Sequence, residues 1–134
     1  MRTKSKPRKT RTAREQAATY RVARPSLTRA EQRALAEFRA RLHKILPNGE
    51  LKSLILFGSK ARGETHPGSD VDLYLIHGDL SKEQEKIIDN LTSDLLGEKP
   101  ELHVLTYSAD RHAAQAKAGW PLLVNIAREG KLIE

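Results

Sequence analysis

Two short apolar runs bracket a stretch rich in Gly and Pro, a loop with room for no more than a short helix, and this arrangement constrains the fold more than any other feature of the chain. Leu51–Phe57 and Val71–His77 read as strands, built mainly from Leu, Ile and Val. Between them Gly58, Gly63, Pro67 and Gly68 punctuate a loop. The loop opens on Gly58-Ser59 and closes on Asp70-Val71-Asp72, with ten residues between Ser59 and Asp70.

Helical periods surround this strand–loop–strand unit. Thr28 and Glu31 fit a capping box, and Leu35, Phe38, Leu42 and Ile45 follow at steps of three and four. Pro47-Asn48-Gly49 stops that helix. Ser81 and Gln84 form a second box, Ile87, Ile88, Leu91 and Leu95 supply a buried stripe, and Gly97 closes the helix. Glu101–Thr106 reads as a third strand. Ser108 caps a helix over Ala109–Lys117, which Gly119 to Pro121 breaks, and Leu122–Glu129 is a last helix ending at Gly130. The order predicts an α/β sheet domain with its helices packed mainly on one face.

Side chains alternate along a strand, so Asp70 and Asp72 share one face while Val71 and Leu73 take the other. Two carboxylates so placed repel each other unless a divalent cation joins them. Hard oxygen ligands suit Mg²⁺ or Mn²⁺, held by one or two carboxylates plus substrate phosphates. The Gly58-Ser59 turn supplies the complementary half. Gly58 has no Cβ and lets backbone approach a phosphate, and Ser59 offers an amide and a hydroxyl. A helix beginning at Ser59–Lys60 would aim its free amides at an anion, with Lys60 and Arg62 adding positive charge. Tyr74 lies on the Asp72 side of the strand, where packing is its expected role. His66 is expected in solvent, His43 and Lys44 on a polar helix face, and Trp120 capping the core.

The net charge of +7 belongs to one end of the chain. Residues 1–26 carry nine Lys/Arg against one acid, Glu15; the remainder carries fifteen against sixteen. The sequence therefore divides into a basic tail, 1–25, and a near-neutral domain, 26–134, of 134 residues in all. The tail has almost no apolar periodicity, which predicts disorder. It reads as an electrostatic handle for nucleic acid or an acidic partner, or as a solubilising extension. There is no cysteine, which excludes disulfides and thiolate metal sites. No apolar run approaches a membrane span and no secretory signal is evident, so a cytoplasmic location is expected.

The run GSKARGETHPGSDVDLYLI, with the ending GWPLLVNIAREGKLIE, resembles the polymerase-β-like nucleotidyltransferases, whose pattern is G-S-x10-D-x-D. It is most similar to the minimal nucleotidyltransferases, often encoded beside HEPN-domain proteins. The resemblance runs from about Ser26 to the end and excludes the tail. It implies a small polymerase-β-like sheet and a Mg²⁺-dependent (or Mn²⁺-dependent), pyrophosphate-releasing transfer of AMP from ATP, or of another nucleoside monophosphate, to an acceptor hydroxyl. It assigns Asp70 and Asp72 to catalysis and metal binding, and Gly58, Ser59, Arg62 and Ser69 to the nucleotide, which Lys60 joins by its charge beside the turn. The family carries a third carboxylate, usually Asp, on the later strand. Here Glu101 and His103 share a face at that place, and Glu101 is preferred, as metal ligand and general base. The implied acceptor is a side chain of a HEPN-type toxin. Larger relatives add a helical domain to complete the acceptor site, and a chain this short would need a partner or a second copy to do so.

Two other functions fit the residues. A domain lacking the third Asp would neutralise a partner by contact alone. Nucleic-acid binding through residues 1–25 would fall steeply with salt.

Overall fold

The computed structural model describes residues 27–64 and 70–134. The basic segment, the boundary at residue 26, His66 and Ser69 lie outside the described residues. Helix α1 spans Arg29–Ile45, strand β1 Leu51–Phe57, strand β2 Val71–His77, helix α2 Lys82–Leu95, strand β3 Leu102–Ser108, helix α3 Ala109–Lys117, helix α4 Pro121–Glu129 and strand β4 Lys131–Leu132. The strands lie in the order β3-β2-β1-β4. β1 pairs antiparallel with both β2 and β4, and β2 pairs parallel with β3 across the α2 connection.

The helices begin where their caps dictate. Thr28 accepts from the Glu31 amide while the Glu31 carboxylate accepts from the Thr28 amide, and Ser81 and Gln84 repeat the arrangement. Ser108 caps α3 by accepting from the Arg111 amide. Pro121 opens α4 at the one place in a helix where its missing N–H costs nothing. Gly97 follows α2 but does not adopt a left-handed cap; among the described residues the positive-φ glycines are Gly49, Gly58, Gly63 and Gly119. Ile87, expected in the buried stripe of α2, is 49% exposed, and Ile88, Leu91 and Leu95 alone carry that face. β3 starts one residue later than its pattern suggests and runs on to Ser108.

The α/β class is as expected, and the larger core lies under α1 and α2 on one face, with a smaller second layer under α3 and α4 on the other. On one face Leu54, Leu56, Val71, Leu73, Leu75 and Leu102 meet Leu35, Phe38 and Leu42 of α1 and Ile88, Leu91 and Leu95 of α2. On the other face Ile55, Tyr74 and Ile76 meet Leu123 and Ile126 of α4, with Trp120, Tyr107 and Leu132 packed around them. α3 and α4 are short, and α3 buries none of its residues, so periodicity alone understated this second layer. β2 lies in the middle and is covered twice, which accounts for its near-continuous apolar run. Asp72 is its one residue that is not buried. The second face opens there. Among the described residues no helix is long and apolar enough to cross a membrane.

Candidate active site

The opening at Asp72 is built by three backbone segments. β1 ends at Phe57, the ladder partner of Asp72, and the chain then turns at Gly58 with φ +80°. A Cβ on Gly58 would stand 2.5 Å from Asp72 Oδ2, so the turn and the carboxylate touch because this residue has no side chain. On the opposite side β3 sets His103 beside Asp72 in the parallel ladder. The Val71 amide donates to the Glu101 carbonyl at 3.2 Å, which holds the segment before β3 against the start of β2.

These placements bring acids and an imidazole together. His103 Nε2 lies 3.2 Å from Asp70 Oδ2 and 3.4 Å from Glu101 Oε2. Ligand atoms of Asp70, Glu101 and His103 all lie within 4.8 Å of one another, all partly exposed. Asp72 stands beside this trio with its carboxylate against Gly58. Burial raises the Asp72 carboxyl above its ordinary range; His103 and Arg62 oppose that rise and Asp70 adds to it. A cation at the opening would relieve the same burden. The donors are three carboxylates and one imidazole, a set that fits a divalent metal ion.

The turn is not the start of a helix. The amides of Ala61 and Arg62 donate to the Gly58 carbonyl, that of Gly63 to Lys60, and that of Glu64 to Ser59. Ala61 is fully buried in the first core, which anchors the turn. Lys60 does not face the opening as its expected contact with a nucleotide requires. Its side chain is buried, with Nζ 3.0 Å from Glu31 Oε2. The other Glu31 oxygen caps α1 by accepting from Thr28 at 2.9 Å. The capping box was visible in the sequence; its second use, as the counter-charge of Lys60, depends on a contact between distant segments. Arg62 remains at the surface. Its guanidinium donates to both Glu64 oxygens and to Glu129 of α4, and these bonds, Glu64 first, hold its pKa above the ordinary value.

Tyr74 belongs to the core. It is fully buried, its hydroxyl is 3.0 Å from His112 Nδ1, and its ring stacks on Tyr107. Burial, and then Tyr107, push its phenol up to about 12. Trp120 packs edge-on against Tyr107, in keeping with a capping role. His43 and Lys44 sit in the last turn of α1, where His43 pairs with Glu134.

The model of the family described as nucleotidyltransferase domain matches residues 34–132, which include the Gly58 turn and all four metal-binding candidates. A Methanocaldococcus jannaschii protein, provisionally named a protein adenylyltransferase, is 33% identical over 103 residues, covering 77% of this chain and 97% of that relative. The crystal structure of a toxin-antitoxin MntA-HpeT mutant covers 74% of this chain and 71% of its own at 20% identity and a TM-score of 0.45, a likeness too distant to bear on function. By the family model and the archaeal relative, this chain belongs to the nucleotidyltransferase domain family, and its enzyme class is nucleotidyl transfer.

Proposed function

We propose that the protein transfers AMP from ATP to a hydroxyl on a protein partner, using Asp70 and Asp72 with the groups from β3. The observation that carries this is the meeting of the Asp70–Asp72 strand start with the glycine turn where β2 is left uncovered on the second sheet face. A protein acceptor is supported by the name of the archaeal relative and by the openness of the site, where Asp70 and His103 are partly exposed. The resemblance to minimal nucleotidyltransferases makes a HEPN-type toxin the partner of first choice, and dependence on ATP would suit a cytoplasmic reaction. In this reading residues 26–134 are the catalytic domain and 1–25 a separate basic tail.

The residues have distinct tasks. Gly58 admits the triphosphate close to the backbone, and Ser59 offers its hydroxyl, while the amides from Ala61 to Glu64 hold the turn in shape. Arg62 adds positive charge at the edge of the site, already shared with Glu64 and Glu129. Asp70 and Asp72, with Glu101 as third carboxylate, are the residues that would hold Mg²⁺ or Mn²⁺. A bound cation of this kind neutralises phosphate charge in the transfer. Glu101 would also serve as the general base that takes the proton of the acceptor hydroxyl. Ser69 completes the expected nucleotide contacts by resemblance.

Incubation with labelled ATP, divalent metal and the protein encoded beside this one tests the proposal. Label should move to the partner, and Asp70→Asn/Asp72→Asn should reduce transfer by at least about 10²-fold, as loss of charge stabilisation does elsewhere. The imidazole among the acids favours a second reading, neutralisation by contact alone. It predicts a tight complex and no transfer with any metal.

A further inference from the structure

We propose that His103 is a direct ligand of the divalent cation, and that it makes this site select a first-row transition ion such as Mn²⁺ over Mg²⁺. The inference rests on the metal-binding reading above and deepens it. The parallel ladder places His103, rather than Glu101, opposite Asp72. Glu101 precedes the strand, and its carbonyl is engaged by Val71. The imidazole therefore occupies the position from which a β3 side chain meets Asp70 and stands beside Asp72. Its Nε2 is 3.2 Å from Asp70 Oδ2 and 3.4 Å from Glu101 Oε2. Two ligands at right angles on an ion about 2.1 Å from each stand about 3.0 Å apart. The spacings found, 3.2 and 3.4 Å, are close to that separation, so one ion can reach all three groups with little movement.

The donor chemistry points the same way. Mg²⁺ demands oxygen ligands in near-ideal octahedral geometry and gives up water reluctantly. A nitrogen donor in its inner shell is a poor exchange for water. Transition ions accept imidazole nitrogen readily, and a mixed nitrogen and carboxylate set is typical of them. A single Nε2–H between two acids is at best shared between them in a weakened three-centre bond, whereas a cation satisfies all three groups together.

Mn²⁺ is the probe, because its electron spin senses a coordinated ¹⁴N directly. The untagged full chain, without nucleotide, is titrated with MnCl₂ and examined by pulsed electron paramagnetic resonance. Nitrogen modulation is expected in the wild type and should vanish in His103→Asp while Mn²⁺ stays bound. The concentration of Mg²⁺ that displaces half the Mn²⁺ should fall by about tenfold or more in that variant. Bound Mn²⁺ without nitrogen modulation, or an unchanged Mg²⁺ displacement point in His103→Asp, overturns the inference. Asp70→Asn separates the two levels of the argument. Mn²⁺ binding that weakens in Asp70→Asn but shows no nitrogen modulation in the wild type leaves the metal site standing and removes His103 from it. Binding unaffected by Asp70→Asn removes the metal-site reading itself.

Discussion

At the scale of single residues, Gly58 and Lys60 decide the shape of the opening. Gly58 combines a left-handed backbone with a Cβ position occupied by the Asp72 carboxylate. Gly58→Ala should therefore lower stability by about 1–2 kcal/mol from the backbone alone, read by urea denaturation. It should also displace Asp72 and weaken metal binding, which calorimetric titration would register. Lys60 acts through Glu31. Removing one member of a buried pair strands the other, so Lys60→Met should cost about 3 kcal/mol. Replacing both, as Lys60→Met with Glu31→Gln, should recover part of that loss. A phosphate-binding Lys60 would give the opposite pattern: little change in the urea midpoint, a large loss of nucleotide affinity, and no rescue by Glu31→Gln.

At the scale of elements, the C-terminal segment closes the sheet and ties it to α1. Lys131–Leu132 pairs with β1, and beyond it the Ile133 amide donates to the Leu54 carbonyl at 2.8 Å. Glu134 then reaches α1, accepting from Arg39 Nε at 2.7 Å and meeting His43 Nε2 at 2.8 Å. Burial alone would raise the Glu134 carboxyl, but the hydrogen bonds from Arg39 and His43 outweigh it and lower the pKa below 4.5. A carboxylate depressed in the folded state contributes stability above its unfolded pKa and loses it as pH falls through the folded value. Glu134→Gln should therefore cost about 0.5–1 kcal/mol near neutral pH. The gap between variant and wild type should close as pH drops from just above 4.5 through the lower folded value, followed by thermal unfolding across that range.

At the scale of the whole molecule, the sheet is covered by α1 and α2 on one face and by α3 and α4 on the other, and the site lies where the second cover ends. The sequence by itself determined the strands β1 and β2, the three capped helix starts at Thr28, Ser81 and Ser108, the turn at Gly58, and the placing of Asp70 and Asp72 at the start of a strand. These are local properties, written in periods of two and 3.6 residues and in the few side chains that cap or turn a backbone. Only the tertiary structure decided which β3 residue stands opposite Asp72, that Lys60 points to Glu31, and that helices cover both faces. Each depends on segments far apart in the chain meeting in one register. A parallel pairing across the α2 connection could slide by two residues and set Glu101 in place of His103 with the faces unchanged, and no local pattern around Glu101 to His103 forbids it. Packing of Leu102 into the first core fixes which β3 side chains take the second face, and the ladder register then sets the imidazole opposite Asp72.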